Sequence, residues 1–319
     1  MKILVTGANG FVGSALIAQL ALQGHQLLAH SRAKVQPSIP NQDIGTVDGT
    51  FENIAEWQHS LAGCHAVVHT AARVHQVQDA SSNPLQDYRL VNVNHSLSVA
   101  RAAHQQGIKR FIYLSSIKVN GEWTQADQPF TADRAPAPVD PYGISKHEAE
   151  QALMQLAKET GMEVVIIRPP LIYGPGVKAN FFSMMRWLNR GVPLPLGAIH
   201  NHRSLLGLGN LLDLVMVCLA HPHAANQTFL ASDGHDVSTT ELLTMMGQAL
   251  GKPARLVKVP QTWLETAAQL VGRPGIAQRL CGNLAVDISK TRNLLGWQPP
   301  VSLEAGLRET AAHFLHSQR

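Results

Sequence analysis

The sequence has no long apolar run, few cysteines and no cluster of basic residues. No stretch reaches the roughly 18 apolar residues that a membrane span needs, and glycines interrupt the apolar stretch after the N-terminal Met-Lys, which argues against secretion. Three cysteines without close spacing predict free thiols in a reducing cytoplasm. The 26 Lys and Arg residues are scattered along the chain, so a nucleic acid is not expected as a partner. The lack of a long apolar run gives no reason to expect a membrane either.

Histidine is the one metal-binding residue type that is plentiful, with 16 residues. Two pairs, His200 with His202 and His221 with His223, have spacings that suggest metal ligands. Neither pair has a cysteine or carboxylate set nearby to complete a site, so we expect no bound metal. The modest net charge of +4 suits polyanionic small molecules.

Strand-like and helix-like segments alternate from the first residue. The apolar run Lys2–Thr6 precedes a helical pattern at Phe11–Gln23, and the alternation continues to a strand at Glu163–Arg168. This pattern predicts an α/β fold, a doubly wound parallel sheet of the Rossmann type with helices on both faces. We expect a dinucleotide-binding domain over residues 1–169. Residues 170–319 should form mainly a smaller C-terminal substrate-binding lobe, with some segments returning to the first sheet.

A glycine-rich loop, VTGANGFVG, joins the first strand to the first helix. Its first glycine permits a tight turn, its second lets the backbone approach a pyrophosphate, and its third lets the helix pack closely on the sheet. The helix N-terminus then offers unpaired N–H groups to phosphates. The alternative is a purely structural turn. The predicted dinucleotide contacts in this loop are Gly7, Asn9, Gly10, Phe11, Val12 and Gly13.

The residues after the second strand bear on the choice between the two nicotinamide dinucleotides. In NAD sites an acidic residue at this position hydrogen-bonds the ribose 2′-hydroxyl. This chain has Ser31 and Arg32 instead, and a hydroxyl beside a guanidinium suits a 2′-phosphate. NADP(H) is therefore favoured and NAD(H) stays possible. The alternative for Arg32 is an exposed residue without a ligand.

A tyrosine and a lysine four residues apart, Tyr142 and Lys146, form the strongest catalytic pattern. They follow Asp140, which can cap the start of a helix. Because four residues separate them, their side chains lie on one face of that helix. A phenol has a pKa near ~10, and a neighbouring ammonium lowers it toward the range in which the phenol transfers protons at neutral pH. Ser116 ends a predicted strand and faces the same crevice, where its hydroxyl can hold the reacting oxygen.

An asparagine, Asn92, lies within the helix that the pattern predicts over Tyr88–Gln106. Asparagine is unfavourable inside a helix, which suggests that it is there for a reason. One interpretation places Asn92 in the catalytic group. The other is a buried polar contact between helices.

These motifs resemble those of the extended short-chain dehydrogenase/reductase family, in particular its nucleotide-sugar epimerases, dehydratases and ketoreductases. The glycine loop, Asn92, Ser116, Tyr142 and Lys146 match in order and spacing, and the resemblance covers essentially the whole chain. It implies an enzyme that acts at C4 of a UDP-sugar. It also implies a homodimer formed through two helices, here roughly residues 88–104 and 142–159.

The resemblance implies further contacts on both sides of the reaction. On the cofactor side these are Ala71, Ala72, Arg73, Tyr142, Lys146 and Pro169. On the substrate side they are Ser116, Lys118, Asn180, Phe181, Arg203 and Leu284. An arginine at Arg203 holds the nucleotide diphosphate in the family, and a second one would be Arg273 or Arg279.

Departures from the family pattern narrow the reaction. Dehydratases of the family carry an Asp-Glu pair directly after the catalytic hydroxyl, whereas this chain has Ile117 and Lys118, so water elimination is not expected. Leu171 stands where many members have asparagine, and Asn120 stands where a tyrosine is frequent. Leu284 is smaller than the tyrosine of strict hexose epimerases, which leaves room for an N-acetyl group.

Two reactions remain that start from the same catalytic group. The Ser31-Arg32 pair favours an NADPH-dependent 4-reductase of a UDP-4-keto-6-deoxy-hexosamine, which we take as the first reading. A UDP-sugar 4-epimerase, which keeps its dinucleotide, is the alternative. A non-catalytic NADP-binding protein is a third, but such proteins typically lose the tyrosine or the lysine.

Overall fold

A computed structural model describes residues 1–33, 44–74, 81–270, 272 and 274–318 of the chain. Nine strands lie within these ranges: β1 (Lys2–Thr6), β2 (Gln26–His30), β3 (Gly45–Val47), β4 (Ala66–His69), β5 (Arg110–Leu114), β6 (Glu163–Arg168), β7 (Leu171–Tyr173), β8 (Leu205–Gly207) and β9 (Gln227–Leu230).

Twelve α-helices lie in the same ranges: α1 (Phe11–Leu22), α2 (Ile54–Trp57), α3 (Pro84–Arg89), α4 (Ser96–Gln105), α5 (Pro141–Thr160), α6 (Ala179–Asn189), α7 (Leu208–Ala220), α8 (Thr239–Ala249), α9 (Gln261–Leu270), α10 (Pro274–Cys281), α11 (Ser289–Leu295) and α12 (Leu303–Ser317). A π-helical segment, Leu90–His95, joins α3 to α4.

Seven parallel strands form the main sheet in the order β3-β2-β1-β4-β5-β6-β9. Their sequences are almost continuously apolar, because helices cover both faces and side chains of either orientation are buried. The predicted α/β fold with a doubly wound parallel sheet is confirmed. The strand order reverses between β1 and β4, and ligands of such sheets bind outside the carboxyl ends of the strands at this point.

A smaller core lies in the C-terminal half of the chain. There β7 pairs in parallel with β8, and helices α6, α8 and α12 pack around buried side chains that include Tyr173, Phe181 and Phe314. Two elements of this half belong to the main sheet instead: β9 pairs with β6, and α7 packs into the same core as α1. The division at residues 169 and 170 stays a prediction, and these two elements are the kind of return that it allowed for.

Within the described ranges, no helix combines the length and the apolar character that a membrane span needs. In the same residues no three His, Cys, Asp or Glu side chains come together as a possible metal site. Of the two histidine pairs, His221 and His223 have ring centroids 5.4 Å apart, and the His223 backbone N–H donates to Nδ1 of His221.

Candidate active site

The glycine loop leaves no room for side chains where it meets the next strand. Gly7 has a φ of +73°, and a Cβ on it would lie 2.7 Å from the backbone nitrogen of Ala71, just after β4. A Cβ on Gly13 would lie 2.2 Å from the carbonyl oxygen of Gly7. Glycine at both positions therefore lets the loop, α1 and the end of β4 pack closely, as the sequence analysis expects of a dinucleotide site.

The N-terminus of α1 suits an anion. Gly10 caps the helix without a side-chain hydrogen bond, and no acidic residue lies in the first turn, which starts at Phe11 and Val12. The helix therefore presents backbone N–H groups with no carboxylate competing for them. Together with the close approach at Gly7, this arrangement fits the phosphates of a nicotinamide dinucleotide.

The residues after β2 lie beside this loop. The Ala8 backbone N–H donates to the carbonyl oxygen of His30 over 3.1 Å, and Nδ2 of Asn9 donates to the carbonyl oxygen of Ala33 over 3.3 Å. Ser31 is half-buried and Arg32 is exposed. The predicted pair is thus at the rim of the crevice, where an adenine ribose would lie.

Helix α5 delivers Tyr142 to Ser116. The Asp140 side chain accepts a 2.7 Å hydrogen bond from the backbone N–H of Gly143, and proline follows at the first helical position, so the helix begins here as predicted. Ser116 follows β5, whose carboxyl end lies two strands from β1. The Ser116 hydroxyl lies close enough to the Tyr142 phenol to oppose the rise in its pKa that burial causes. The fold therefore brings together two residues that are 26 positions apart in the sequence.

Lys146 is buried, with 1% of its surface exposed. Its Nζ donates to the Tyr113 hydroxyl over 3.1 Å and to the carbonyl oxygen of Leu114 over 2.8 Å. It also lies 4.4 Å from the centroid of the Tyr113 ring. Burial lowers the pKa of Lys146 to about 7, an effect that the charge of Glu150 partly opposes.

The pKa of Tyr142 differs from the sequence expectation. Burial raises it to about 12, and the neighbouring Ser116 hydroxyl opposes that rise. The expected lowering by Lys146 is not realised in this arrangement, because the lysine ammonium lies against Tyr113 and Leu114. Desolvation of the phenol outweighs the charge effect on which the sequence analysis relied.

Asn92 lies in the π-helical segment and is fully buried. Its Oδ1 accepts from the backbone N–H of Arg73 over 2.9 Å, and its Nδ2 donates to the Arg73 carbonyl oxygen over 3.1 Å and to Oγ of Ser145 over 3.0 Å. The side chain therefore ties the segment after β4 to α5. Its backbone carbonyl oxygen accepts from the Tyr113 hydroxyl over 3.3 Å. The buried polar contact is thus present, and it adjoins the Lys146 site.

A row of polar side chains beneath the site escaped the sequence analysis. His69 Nδ1 is 2.9 Å from Oγ1 of Thr6, and His69 Nε2 is 3.0 Å from Oγ of Ser96. The Ser96 hydroxyl lies close enough to the Tyr113 phenol to oppose the rise in its pKa that burial causes, and the Tyr113 hydroxyl accepts from Lys146. Burial lowers the pKa of His69 to about 3, so it is neutral at physiological pH. Polar side chains therefore adjoin the tyrosine that contacts Lys146.

A buried ion pair lies one turn further along α5. Arg168, at the end of β6, donates two hydrogen bonds to the carboxylate of Glu150, of 2.9 and 2.5 Å, and a third to Oδ1 of Asn120 over 3.0 Å. Ser115 donates to the same carboxylate. Glu150 follows Tyr142 and Lys146 at the same four-residue spacing, a signal that the sequence analysis did not use.

The remaining cofactor-side residues border the same crevice. Ala71, Ala72 and Arg73 follow β4 and are half-buried, with Ala71 against the glycine loop. Pro169 follows β6, and its carbonyl oxygen accepts from the backbone N–H of Ile117 over 2.9 Å, next to Ser116. The structure therefore gathers these predicted residues at one edge of the sheet. Their contact with a cofactor stays a prediction.

Three predicted substrate contacts have different surroundings. Lys118 forms ion pairs with Asp140 and Glu122, so its ammonium is engaged by the protein. Asn180 is exposed in the first turn of α6. The Phe181 side chain is 1% exposed and stacks on Tyr173 in the smaller core, and the contact of this residue with substrate stays a prediction. A substrate contact at this position would have to use the backbone.

Arg203 and Leu284 are brought together although 81 positions separate them. Their backbones form a parallel bridge, and the carbonyl oxygen of Leu284 accepts from the N–H of Ser204. Nη1 of Arg203 donates to the carbonyl oxygen of Gly282 over 3.0 Å, and burial lowers its pKa. Among the residues that the structure describes, Arg203 has no carboxylate partner. Arg279 is exposed on α10.

The alternative to Arg279 as a second phosphate arginine, Arg273, lies outside the described residues. The choice between the two therefore stays open.

Two known proteins are similar to this chain over nearly its whole length. A UDP-glucose 4-epimerase of Vibrio cholerae is 45% identical over 319 residues, covering 99% of this chain and 96% of the relative. An N-acetyl-α-D-glucosaminyl-diphospho-ditrans,octacis-undecaprenol 4-epimerase of Escherichia coli O157:H7 is 26% identical, covering 100% and 97%.

Among solved structures, a UDP-glucuronic acid 4-epimerase from Bacillus cereus in complex with NAD superimposes with a TM-score of 0.79. It is 21% identical, and all of both chains is covered, which shows the shared fold. The model of the NAD dependent epimerase/dehydratase family matches residues 3–230, well over half of the sequence. The chain therefore belongs to the NAD dependent epimerase/dehydratase family.

Proposed function

We propose that the protein is a UDP-sugar 4-epimerase. The observation that carries this proposal is that α5 brings Tyr142 next to Ser116 at the edge of the sheet that the glycine loop borders. The sequence analysis places a 4-reductase first and a 4-epimerase second. The 45% identical relative from Vibrio cholerae supports the second reading more strongly, and we adopt it.

The site residues divide the work of proton transfer. Ser116 would hold the C4 oxygen of the sugar, and the phenolate of Tyr142 would take the proton of the C4 hydroxyl and return it when that hydroxyl is restored on the other face of the ring. A nicotinamide dinucleotide held by Gly7, Gly10 and the start of α1 supplies the hydride acceptor and donor. Lys146, whose ammonium is held by the Tyr113 hydroxyl and the Leu114 carbonyl oxygen, would bind the nicotinamide ribose.

The residues after Ser116 argue against dehydration. Elimination of water needs a carboxylate pair there, and the chain has Ile117, which is buried, and Lys118. The Lys118 ammonium pairs with Asp140 and Glu122, so its place is basic where elimination needs an acid. Oxidation and reduction at C4 without elimination are the steps that this group of residues serves.

The state of Arg203 supports a diphosphate substrate. A guanidinium that is partly buried, with one backbone carbonyl as its hydrogen-bond partner and no carboxylate among the described residues, has donors left for an anion. The Escherichia coli relative acts, by its name, on a sugar diphosphate carried by a lipid, whereas the Vibrio cholerae relative acts on UDP-glucose. We propose a UDP-sugar because the Vibrio cholerae relative is far more similar to this chain than the Escherichia coli relative.

A 4-reductase is the second candidate, and Ser31 with Arg32 is the observation that favours it. Both residues border the glycine loop, where a 2′-phosphate would lie. To distinguish the two reactions, purified protein is incubated with UDP-glucose, UDP-galactose and their N-acetyl forms, and the sugars are resolved by NMR. We expect interconversion of the C4 epimers without net consumption of dinucleotide. Stoichiometric NADPH oxidation on 4-keto sugars without epimerisation would establish the reductase instead.

The cofactor preference has a separate test. Replacing Arg32 with Asp should weaken NADP binding by roughly tenfold while NAD binding holds or improves, since a carboxylate repels a 2′-phosphate and accepts from a 2′-hydroxyl. Dissociation constants of both dinucleotides are measured by calorimetry. Arg101→Asp, at an exposed position on α4, is the control. Equal NADP affinity in Arg32→Asp and wild type would remove Arg32 from the cofactor site.

A homodimer through α3–α4 and α5 is a further part of the proposal. These helices pack together in one subunit, where Arg89 and Glu148 form a bidentate ion pair, and Leu90 is 46% exposed. Sedimentation of Leu90→Glu should show dissociation to monomers, because a buried carboxylate opposes an apolar interface. A monomeric wild-type protein would end this part of the proposal and leave the chemistry unaffected.

A further inference from the structure

Two segments of the C-terminal half concentrate positive charge. Residues 178–200 and 250–281 hold eight of the 26 Lys and Arg residues but one of the 22 Asp and Glu residues, Glu265. Their formal charge is +7, whereas the rest of the chain, with 18 basic and 21 acidic residues, carries −3. The even scatter of charge that the sequence analysis describes therefore fails in this half of the chain.

The two segments lie side by side. The backbone N–H of Leu194 donates to the carbonyl oxygen of Arg255 over 2.9 Å, and that of Val257 donates to Leu194 over 2.8 Å. Nζ of Lys252 donates to the carbonyl oxygen of Asn189 over 2.7 Å, at the end of α6. The exposed basic side chains of this surface are Arg186, Arg190, Lys252, Arg255 and Lys258.

Large apolar side chains are exposed among these charges. Trp187 is 43% exposed, Val192 39% and Val257 50%. Helix α9 continues directly from this stretch, with Trp263 70% and Leu270 83% exposed and no side chain fully buried. Single exposed apolar residues are ordinary, but Trp187, Val192 and Val257 lie on segments that backbone hydrogen bonds join, and such a group marks a contact site that α9 extends along the chain. We call these five apolar residues and the five basic ones the basic face.

We propose that the basic face docks the protein on the surface of an anionic phospholipid bilayer. Anionic head groups attract Lys and Arg, while Trp, Val and Leu side chains enter the boundary between head groups and acyl chains. The proposal concerns peripheral contact, which the lack of a membrane span in the described residues leaves untouched. It does not depend on the reaction that the enzyme catalyses.

Other occupants fit the basic face less well. A second copy of the chain would bring two surfaces of like charge together. A nucleic acid would pair with the basic residues and stack on a tryptophan, but aliphatic side chains such as Val257 and Leu270 would gain nothing from it. A bilayer is the occupant that uses both the charges and the aliphatic groups.

The test measures co-sedimentation of the full-length protein with vesicles. Vesicles of phosphatidylcholine with phosphatidylglycerol should bind at least tenfold more protein than vesicles of phosphatidylcholine alone, and salt should weaken the binding. Replacing Arg186, Arg190, Lys252 and Lys258 with Gln should reduce binding at least tenfold. Trp263→Ser and Leu270→Ser should each reduce it several-fold, with epimerisation of UDP-sugars unchanged in solution.

Matched controls separate the basic face from general charge and aromatic content. The first replaces four exposed basic residues elsewhere, Arg101, Lys109, Lys158 and Arg308, with Gln; the second is Trp123→Ser, at a tryptophan that is 54% exposed. Both should bind vesicles like the wild type. Equal loss in these controls, equal binding to both kinds of vesicle, or duplex DNA binding that survives Leu270→Ser with no vesicle binding would each overturn the proposal.

Discussion

Helix α5 and the C-terminal lobe hold their charged groups in opposite ways. Along α5, Lys146 and Glu150 are buried, and each is satisfied by partners from neighbouring strands, Tyr113 and Arg168 among them. In the lobe, Arg203 has one backbone carbonyl as its partner. The groups proposed for chemistry are thus fixed by the protein, whereas Arg203, proposed for the substrate diphosphate, keeps donors for an anion. Preorganised groups cost no rearrangement during reaction, and available donors favour binding.

The largest effect should come from the phenol itself. Tyr142→Phe should reduce turnover by roughly 100- to 10,000-fold, because general acid–base catalysis is worth that much. Dinucleotide affinity and melting temperature should stay close to wild type, since the ring and its contact with Tyr88 remain. Turnover is measured with UDP-sugars at saturation. Unchanged turnover would refute the role proposed for Tyr142. It would also refute the proposal that α5 carries the chemistry while the C-terminal lobe binds the substrate.

The buried pair on α5 should dominate stability. Glu150→Gln leaves the Arg168 guanidinium without its carboxylate in the interior, which should lower the free energy of unfolding by about 3–5 kcal/mol. Glu148→Gln is the matched control two residues earlier, because Glu148 pairs with Arg89 at the surface and should change stability little. Urea denaturation monitored by circular dichroism compares the variants. Equal losses would show that burial does not distinguish the two pairs.

Replacement of Arg203 in the C-terminal lobe should weaken substrate binding without lowering the stability of the protein. Arg203→Gln should weaken UDP affinity roughly 10- to 100-fold, the worth of hydrogen bonds to a charged group. Its melting temperature should hold or rise, since an incompletely satisfied buried charge is removed. Arg255→Gln, an exposed arginine of the basic face, is the control. Calorimetric titration with UDP makes the comparison, and a UDP affinity unaffected by Arg203→Gln would exclude this arginine from the diphosphate site.

The sequence predicts those parts of the fold and site that depend on local spacing. The glycine loop, the capped start of α5 and the apolar strands are all readable within ten residues, and the structure has them where they were expected. The return of β9 to the main sheet was allowed for but not located. Its short sequence, QTFL, carries no sign of which sheet edge it joins.

The missed features depend on which strands become neighbours. Tyr113 and His69 belong to no local sequence motif. They meet because β4 and β5 pair in a register that places His69 opposite Tyr113. The π-helical segment that holds Asn92 was also missed, because the 3.6-residue period of apolar side chains predicts α-helix and does not distinguish a short π-helical segment within it. The burial of the Phe181 side chain was not foreseen, because an aromatic residue beside a substrate loop and one in a core have the same sequence signature.

The smallest predicted effect concerns the pKa of Lys146 on α5. Tyr113→Phe removes the hydroxyl that accepts from Lys146, and the charged form of the lysine loses that hydrogen bond. The pKa of Lys146, already lowered to about 7, should fall further, and activity that needs the ammonium should be lost at lower pH. We expect the alkaline limb of the turnover profile to move down by about one pH unit. Turnover below that limb should change little.

Tyr88→Phe is the matched control for this shift. This substitution also removes one phenol hydroxyl. In the wild type that hydroxyl donates to the carbonyl oxygen of Val74, and it has no hydrogen bond to Lys146 among the described contacts. Its alkaline limb should therefore coincide with that of the wild type. A purely structural role for Tyr113 would lower turnover equally at every pH, and such a uniform loss would show that Tyr113 does not set the charge of Lys146.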